Sequence, residues 1–299
     1  MVLVVVFIFL TYTLGTIRIS FLDHFTFLST RAHQFCLNLL PANPQTEPAL
    51  QALVCGHNFE SLETSQLYLS SGLIHLFVVS GSHLILAEKV LGSVFKIWPL
   101  KYSSTLIICC LFMFCIVCEL NPPVVRSFLG ICLGLYLARK HRHWPRDYTI
   151  LITGLLCVSL KPEWTMSLGL QMSWLAALAI HINERLLSSR PKLLHQLTFY
   201  ILFIFSFSCL GFPAFTALLT CYFFSPVLEF ILLPLAFLTI PFPTVDLIFE
   251  KSIQCLDFLL AHMELSTSLI LSDVQETLVI NWFVIFCLHL ALHFRPSKT

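Results

Sequence analysis

The densest group of residues that could do chemistry lies between positions 71 and 83, inside an otherwise apolar segment. It contains Gly72, His75, Ser80, Gly81 and His83. On a continuous helix all of them except Gly81 would fall within an arc of about 140°. Polar groups at membrane depth usually face a bundle interior or a water-filled path, and small residues permit close helix contact. The stripe therefore indicates either the lining of a water-filled path or a tight helix seam, and Gly81 also permits a break or a re-entrant turn.

A single cation, Arg126, lies well inside a later apolar stretch. A cation at that depth is expected to pair, to snorkel or to face water, and an arginine can hold two phosphate oxygens at once. We expect Arg126 to be a phosphate contact or a structural pair. We also expect Gln171 and Ser173, in another apolar stretch, to form helix–helix hydrogen bonds near it.

Signals for catalysis and for metal binding are weak. Val78 stands at the first glycine position of any G-x-S-G motif around Ser80, which disfavours a serine hydrolase. The pair His141 and His143 lacks a neighbouring acid, so it does not predict a metal site. The sequence also contains no G-x-x-x-x-G-K-[ST] motif for nucleotide binding. We therefore expect no enzymatic activity, no cofactor and no metal.

The composition indicates which elements must position these residues. Hydrophobic residues make up 57% of the 299 residues and charged residues 11%, against about 45–50% and about 25% in soluble domains. The formal net charge of +1 points to no particular partner. Apolar runs near the length of a spanning helix recur without the alternation of strands. The predicted fold class is all-α, a polytopic integral membrane helical bundle with about 8–10 transmembrane or re-entrant helices.

Stretches poor in charge define the expected membrane segments: residues 2–17, 72–95, 102–118, 123–138, 148–160, 164–183, 197–228, 230–245 and 277–294. Residues 246–263 are more amphipathic and are expected at the membrane interface. This pattern predicts four parts, which are an N-terminal span at 1–20, an extracytoplasmic loop with short helices at 21–71, a multi-helix membrane domain at 72–294 and a polar tail at 295–299.

Basic residues cluster in two connections and predict the topology. The second connection covers residues 185–192, and the first holds Arg139, Lys140, Arg142 and Arg146. Short loops rich in Lys and Arg stay cytoplasmic, so both connections should lie inside and residues 21–71 outside. The basic loops could in addition touch an anionic polymer that leaves a pore. Cys36 and Cys55 could pair if their loop faces an oxidising compartment.

Several short motifs resemble those of the ComEC-type competence proteins, and they follow one another in the family's order. Residues 52–56 (ALVCG), 71–76 (SGLIHL) and 79–83 (VSGSH) resemble the A-L-x-x-G, S-G-L-x-H-L and S-G-L-H elements of that family. Further matches are residues 122–126 (PPVVR), residues 161–162 (KP) followed by 170–174 (LQMSW), and residues 224–229 (FSPVLE) with Pro234.

The resemblance implies a DNA uptake channel in the cytoplasmic membrane, which passes single-stranded DNA during natural transformation. It implies single-stranded DNA and the lipid bilayer as direct partners. Separate DNA-receptor, nuclease and motor proteins are further implied partners, and so is a second copy of the chain in a homo-oligomer. We expect the chain to lack the family's oligonucleotide-binding-type and metallo-β-lactamase-like domains. Three positions depart from the family pattern: Ser82 replaces the usual Leu, Lys161 an Asp that is often present, and Glu229 the usual Asn. Glu229 puts an acid beside the path expected for a polyanion.

Two other functions remain open from the sequence. A small-solute or lipid-linked transporter could share this helical core. The expected absence of two domains and the acid at Glu229 are also compatible with a degenerate homologue that transports nothing.

Overall fold

The structure is a computed structural model. It describes residues 20–57, 68, 73, 79–187, 220, 223–262 and 274–294. Within these ranges every regular element is helical, as predicted, and no strand occurs. In chain order the α-helices are α1 (Ser20–Leu39), α2 (Glu47–Leu50), α3 (Gly81–Val94), α4 (Leu100–Val117), α5 (Pro122–Arg139), α6 (Arg146–Leu160), α7 (Leu168–Leu187), α8 (Leu233–Leu238), α9 (Asp246–Ala261) and α10 (Val274–Phe294). Short 3-10 or π-helical turns lie at Gln51–Cys55, Phe95–Ile97, Pro162–Met166, Leu228–Leu232 and Pro243–Val245.

Helices α4, α5 and α6 coincide closely with three of the expected membrane segments. The segment expected at 230–245 differs, because α8 already ends at Leu238. Pro241 and Pro243 follow this end, and proline cannot donate the backbone hydrogen bond that continues a helix. Helix α1 has 20 residues and is longer than the short helices expected in its loop. Over the described ranges, no helix has the combination of length and apolar character needed to cross a membrane.

Helix α5 occupies the centre of the described helices and packs against α3, α4, α6 and α7. On one side, Leu84 of α3, Leu111 of α4 and Val124 of α5 form an apolar cluster and are fully buried. On the other side, α5, α6, α7 and α10 share a second cluster around Trp174 and Leu178. Full burial of one such leucine contributes about 1.5–3 kcal/mol, so these two clusters fix α5 between its neighbours.

A close contact of small and large residues locks α6 to α7. A Cβ atom added at Gly154 would lie 2.3 Å from the ring of Trp174, so glycine leaves the space that the indole fills. The Trp174 Nε1 group donates a hydrogen bond to Nε2 of His289, 3.0 Å away on α10. One side chain therefore joins three helices.

A disulfide joins α1 to the turn at Gln51–Cys55. It pairs Cys36 with Cys55, whose Cα atoms lie 5.9 Å apart. The sequence allowed this pair only for a loop that faces an oxidising compartment, where disulfides form and persist. Both cysteines lie in the third apolar cluster, with the buried residues of α8 and α9.

Candidate functional site

The polar segment contains a break just before α3. Ser80 is the N-cap residue and has an extended backbone, with φ −108° and ψ 171°. Its side chain accepts a hydrogen bond from the backbone N–H of His83, and the Nδ1 atom of His83 accepts one from the backbone N–H of Ser80 at 3.1 Å. Of the two arrangements that the sequence left open, the structure has the break near Gly81 and not a continuous helix through positions 72 to 83, because the capping pair starts a new helix at Gly81. Gly72 and His75 lie outside the described residues.

The capping role fixes the chemical state of His83. Its Nδ1 atom accepts a hydrogen bond, so the neutral ring carries its proton on Nε2. The side chain is also buried, with 4% of its surface exposed. His83 thus holds the first turn of α3 in place. Its effect on a path through the protein would come from positioning this turn.

Gly81 brings the backbone of α3 against α5. A Cβ atom at this position would lie 2.2 Å from Oγ and 3.2 Å from Cβ of Ser127. The Ser127 hydroxyl donates to the carbonyl of Pro123 at 3.0 Å, so it is held on its own helix. Glycine at position 81 is required by this approach of the two helices. Ser127 was absent from the sequence-based candidates, since no motif marks it.

Two of the residues that depart from the family pattern contact each other. The Ser82 side chain lies near the half-buried Glu229 carboxylate. The hydroxyl oxygens of Ser80 and Ser82 lie 2.7 Å apart, so a short polar chain runs from the N-cap residue to the acid. A carboxylate near the N-terminus of a helix is favoured by the helix dipole. The only signal for this contact in the sequence is that both positions depart from the family pattern.

Arg126 lies one helical turn inside α5 and is half-buried. Its Nε group donates a hydrogen bond to the Ser173 hydroxyl on α7 at 3.0 Å. Among the described residues the two ion pairs join other side chains, so no carboxylate neutralises Arg126. Ser173 and Arg126 were expected near each other, and they form a direct contact between α5 and α7.

Gln171 is completely buried and connects α7 to α10. Its Nε2 group donates to the carbonyls of Thr165 and Leu278, each at 3.2 Å. Its Oε1 atom accepts a hydrogen bond from Nδ2 of Asn281 at 3.1 Å. The amide thus has three hydrogen-bond partners in the helix bundle.

The basic connection between α5 and α6 is only partly free. Arg139, Lys140 and Arg142 are exposed. Arg146 instead forms an ion pair with Glu184 of α7. All four basic residues lie at or beside the connection between α5 and α6, and the acid on α7 engages one of them.

The described residues contain no group of three or more His, Cys, Asp or Glu side chains that could hold a metal ion.

These features define an all-helical protein in which polar side chains form contacts between packed helices. The family described as "Competence protein" matches residues 53–297. The chain belongs to this family, and the membership supports a role in competence and DNA uptake.

One curated relative gives no further functional information. An "Uncharacterized protein" of Aquifex aeolicus (strain VF5) is 29% identical over 119 residues, which cover 40% of this chain and 28% of the relative. The chain thus aligns with less than a third of the length of this relative. No solved structure matches the chain.

Proposed function

We propose that this protein passes single-stranded DNA across the cytoplasmic membrane during natural transformation, as a multi-pass membrane channel. Family membership supports the general role in DNA uptake. The observation that carries the finer proposal is the state of Arg126, a half-buried arginine between two helices that has no carboxylate partner among the described residues.

The hydrogen bond of Arg126 leaves its phosphate-binding groups available. Among the described residues only Nε of Arg126 has a hydrogen-bond partner, which is a neutral hydroxyl, so no described group compensates the charge and the two Nη groups can face a phosphate. A guanidinium can hold two phosphate oxygens in one plane. A single contact of this kind binds weakly, which suits conduction because the bound group must also leave.

The start of α3 is the proposed gate of the path. We assign Gly72, His75, Ser80, Gly81 and His83 to its lining or to the gate. Since Gly81 lies in contact with Ser127, passage of a strand along this seam requires α3 to move away from α5. The Glu229 carboxylate lies near Ser82 in the first turn of α3, and in this proposal a passing phosphate would take the place of the carboxylate at this helix end.

The proposal also includes the setting in which the channel works. The bilayer and the incoming strand are its direct partners, with separate receptor, nuclease and motor proteins supplying capture, strand degradation and driving force. The chain itself performs no catalytic step and needs no cofactor or metal. A second copy of the chain is a further proposed partner.

The test is a clean deletion in the host, complemented by the intact chain, by Arg126→Gln or by Arg126→Lys. Surface-bound and nuclease-protected labelled donor DNA are measured separately. We expect the deletion to retain bound DNA and to lose the protected strand, the Gln variant to behave like the deletion, and the Lys variant to restore part of the uptake. Lys251→Gln, an exposed cation on α9 outside the basic connections, is the matched control and should restore uptake fully.

Two outcomes would contradict the proposal. Undiminished protected DNA in the deletion would exclude a DNA channel and leave solute or lipid transport, or a degenerate homologue. Full uptake by the Arg126→Gln variant at normal protein level would exclude Arg126 as a phosphate contact.

A further inference from the structure

A cleft of about 420 Å³ opens at one end of the described helices. Parts of α1, the residues after the turn at Gln51–Cys55, the connection from α4 to α5 and the connection from α6 to α7 meet there. The polar side chains that matter for its chemistry belong to Lys161, Trp164, Asn121, His57 and Glu119.

Three of the motif segments that are far apart in the chain meet at this cleft. Gly56 ends the first of them, Pro122 begins the second and Lys161 begins the third, and all three residues line the cleft. Apolar packing brings these segments together, because Leu120 and Trp164 both pack against the second apolar cluster and Cys118 lies against Gly56. The charged side chains at the cleft take no part in that packing and are left to contact a ligand.

We propose that this cleft receives a nucleotide of the incoming single strand, with Lys161 on a phosphate and Trp164 against a base. This inference rests on the proposed function and names the site where the strand first binds. A groove for single-stranded DNA generally combines cations with aromatic faces on which any base can stack. The cleft has both.

The Lys161 ammonium group is available to a phosphate. Its nearest acid is Glu163, with Nζ and Oε2 3.7 Å apart, and the two side chains are 42% and 83% exposed. An ion pair that is so exposed contributes little, so a phosphate can replace Glu163. Asn121 is the N-cap residue of α5, which places the positive end of an 18-residue helix at the same cleft.

Trp164 offers a ring in a fixed position. It is half-buried and packs against the second apolar cluster, around Trp174. One part of the indole therefore contacts the protein core while another part lines the cleft. An anchored ring loses little freedom when a base stacks on it.

The Glu119 carboxylate repels a bound phosphate and so lowers the affinity of the cleft for the strand. This carboxylate is exposed and lines the same cleft. Glu119 and Leu120 have φ angles of 52° and 51°, a left-handed conformation that side chains other than glycine seldom adopt. An acid in the same cleft as the lysine limits the residence time of the strand, as a site on a conducting path requires.

The position of the cleft fits arrival from outside. Gly56 directly follows Cys55 of the disulfide, and disulfides persist in oxidising compartments. The loop at 21–71 is expected outside from the basic-loop pattern. The cleft therefore lies at the end of the bundle that incoming DNA meets first.

The test measures binding of a fluorescent oligodeoxythymidylate to the purified full chain in nanodiscs at several salt concentrations. Lys161→Gln should reduce the slope of log affinity against log salt concentration by about 0.7, the value for one phosphate contact of a single strand. Trp164→Leu should weaken binding roughly 5- to 150-fold, as the loss of one stacked base does, whereas Trp164→Phe should retain most of the affinity. Glu119→Gln should strengthen binding.

Matched controls use the same residue types away from the cleft. Lys251→Gln on α9 and Trp98→Leu after α3 replace exposed side chains and should leave affinity and slope unchanged. Unfolding curves in detergent show whether each variant keeps the fold, and the Trp164→Phe variant preserves the packing on the core.

The results separate this inference from the proposed function. If Lys161→Gln and Trp164→Leu bind like the intact chain while deletion still abolishes uptake, the cleft assignment is wrong and the channel proposal stands. If the variants lose affinity as expected while deletion leaves uptake unchanged, the cleft is a nucleotide site of a protein that does not conduct DNA. Equal losses in the two control variants would overturn the cleft assignment.

Discussion

Replacement of Gly81 by alanine should disturb the contact between α3 and α5. The new methyl group would lie 2.2 Å from Oγ and 3.2 Å from Cβ of Ser127, and separations below about 3 Å require the helices to move. Overpacking of this kind costs about 1–3 kcal/mol, while the better helix propensity of alanine returns at most about 1 kcal/mol. We expect a net loss of about 1–2 kcal/mol in the free energy of unfolding.

The assay is thermal unfolding of the purified chain in detergent, together with DNA uptake. Each kcal/mol should lower Tm by roughly 2–4 °C. Gly92→Ala is the matched control, because it lies in the same helix and no atom comes within 4 Å of the added methyl group. Ser127→Ala in the Gly81→Ala background removes the closest atom and should restore much of the stability. Equal Tm values for both glycine variants would refute the close contact, and so would failure of the double variant to recover.

The remaining predictions concern stability elsewhere in the molecule. Gly154→Ala should lower the free energy of unfolding by about 1–3 kcal/mol, since its methyl group would lie 2.3 Å from the ring of Trp174; an unchanged Tm would contradict that packing. Burial raises the pKa of Asp257, although its hydrogen bond with Tyr68 acts in the opposite direction. The native state therefore binds this proton more tightly than the unfolded state, and stability from this group falls as pH rises through the acidic range. As the pH falls from 7 to 4, the free energy of unfolding of the intact protein should rise relative to that of the Asp257→Asn variant. A difference between the two proteins that stays constant with pH would contradict a raised pKa of Asp257. Reduction of the Cys36–Cys55 disulfide should remove about 3 kcal/mol from the free energy of unfolding, and identical melting curves with and without reductant would argue against that bond in solution.

Much of the helical framework could be predicted from the sequence. Long charge-poor stretches bounded by proline or by basic residues predicted α4, α5 and α6 closely, because these boundaries are local features. The same approach was wrong at 230–245, where apolar residues continue but prolines end the helix. The sequence left open either a continuous helix from Gly72 to His83 or a break at Gly81. The reciprocal hydrogen bonds of Ser80 and His83 begin a new helix at Gly81.

The candidate site was less predictable, since its contacts join distant parts of the chain. Ser173 was expected to form a helix–helix hydrogen bond near Arg126, and in the structure its partner is Arg126 itself. The contacts of Gly81 with Ser127 and of Ser82 with Glu229 depend on how the helices pack. Spacing along the chain carries no signal for such contacts.

The measurement that tests the central claim most directly is photo-crosslinking of a donor strand in transit. A photoreactive side chain is introduced at Gly130, one turn beyond Arg126 on α5, where an added Cβ meets no atom within 4 Å. The control position is Met113, which is 58% exposed on α4. The account predicts crosslinks to labelled single-stranded DNA at position 130 during uptake and none at position 113. Normal uptake without crosslinks at position 130 would contradict a strand path beside Arg126.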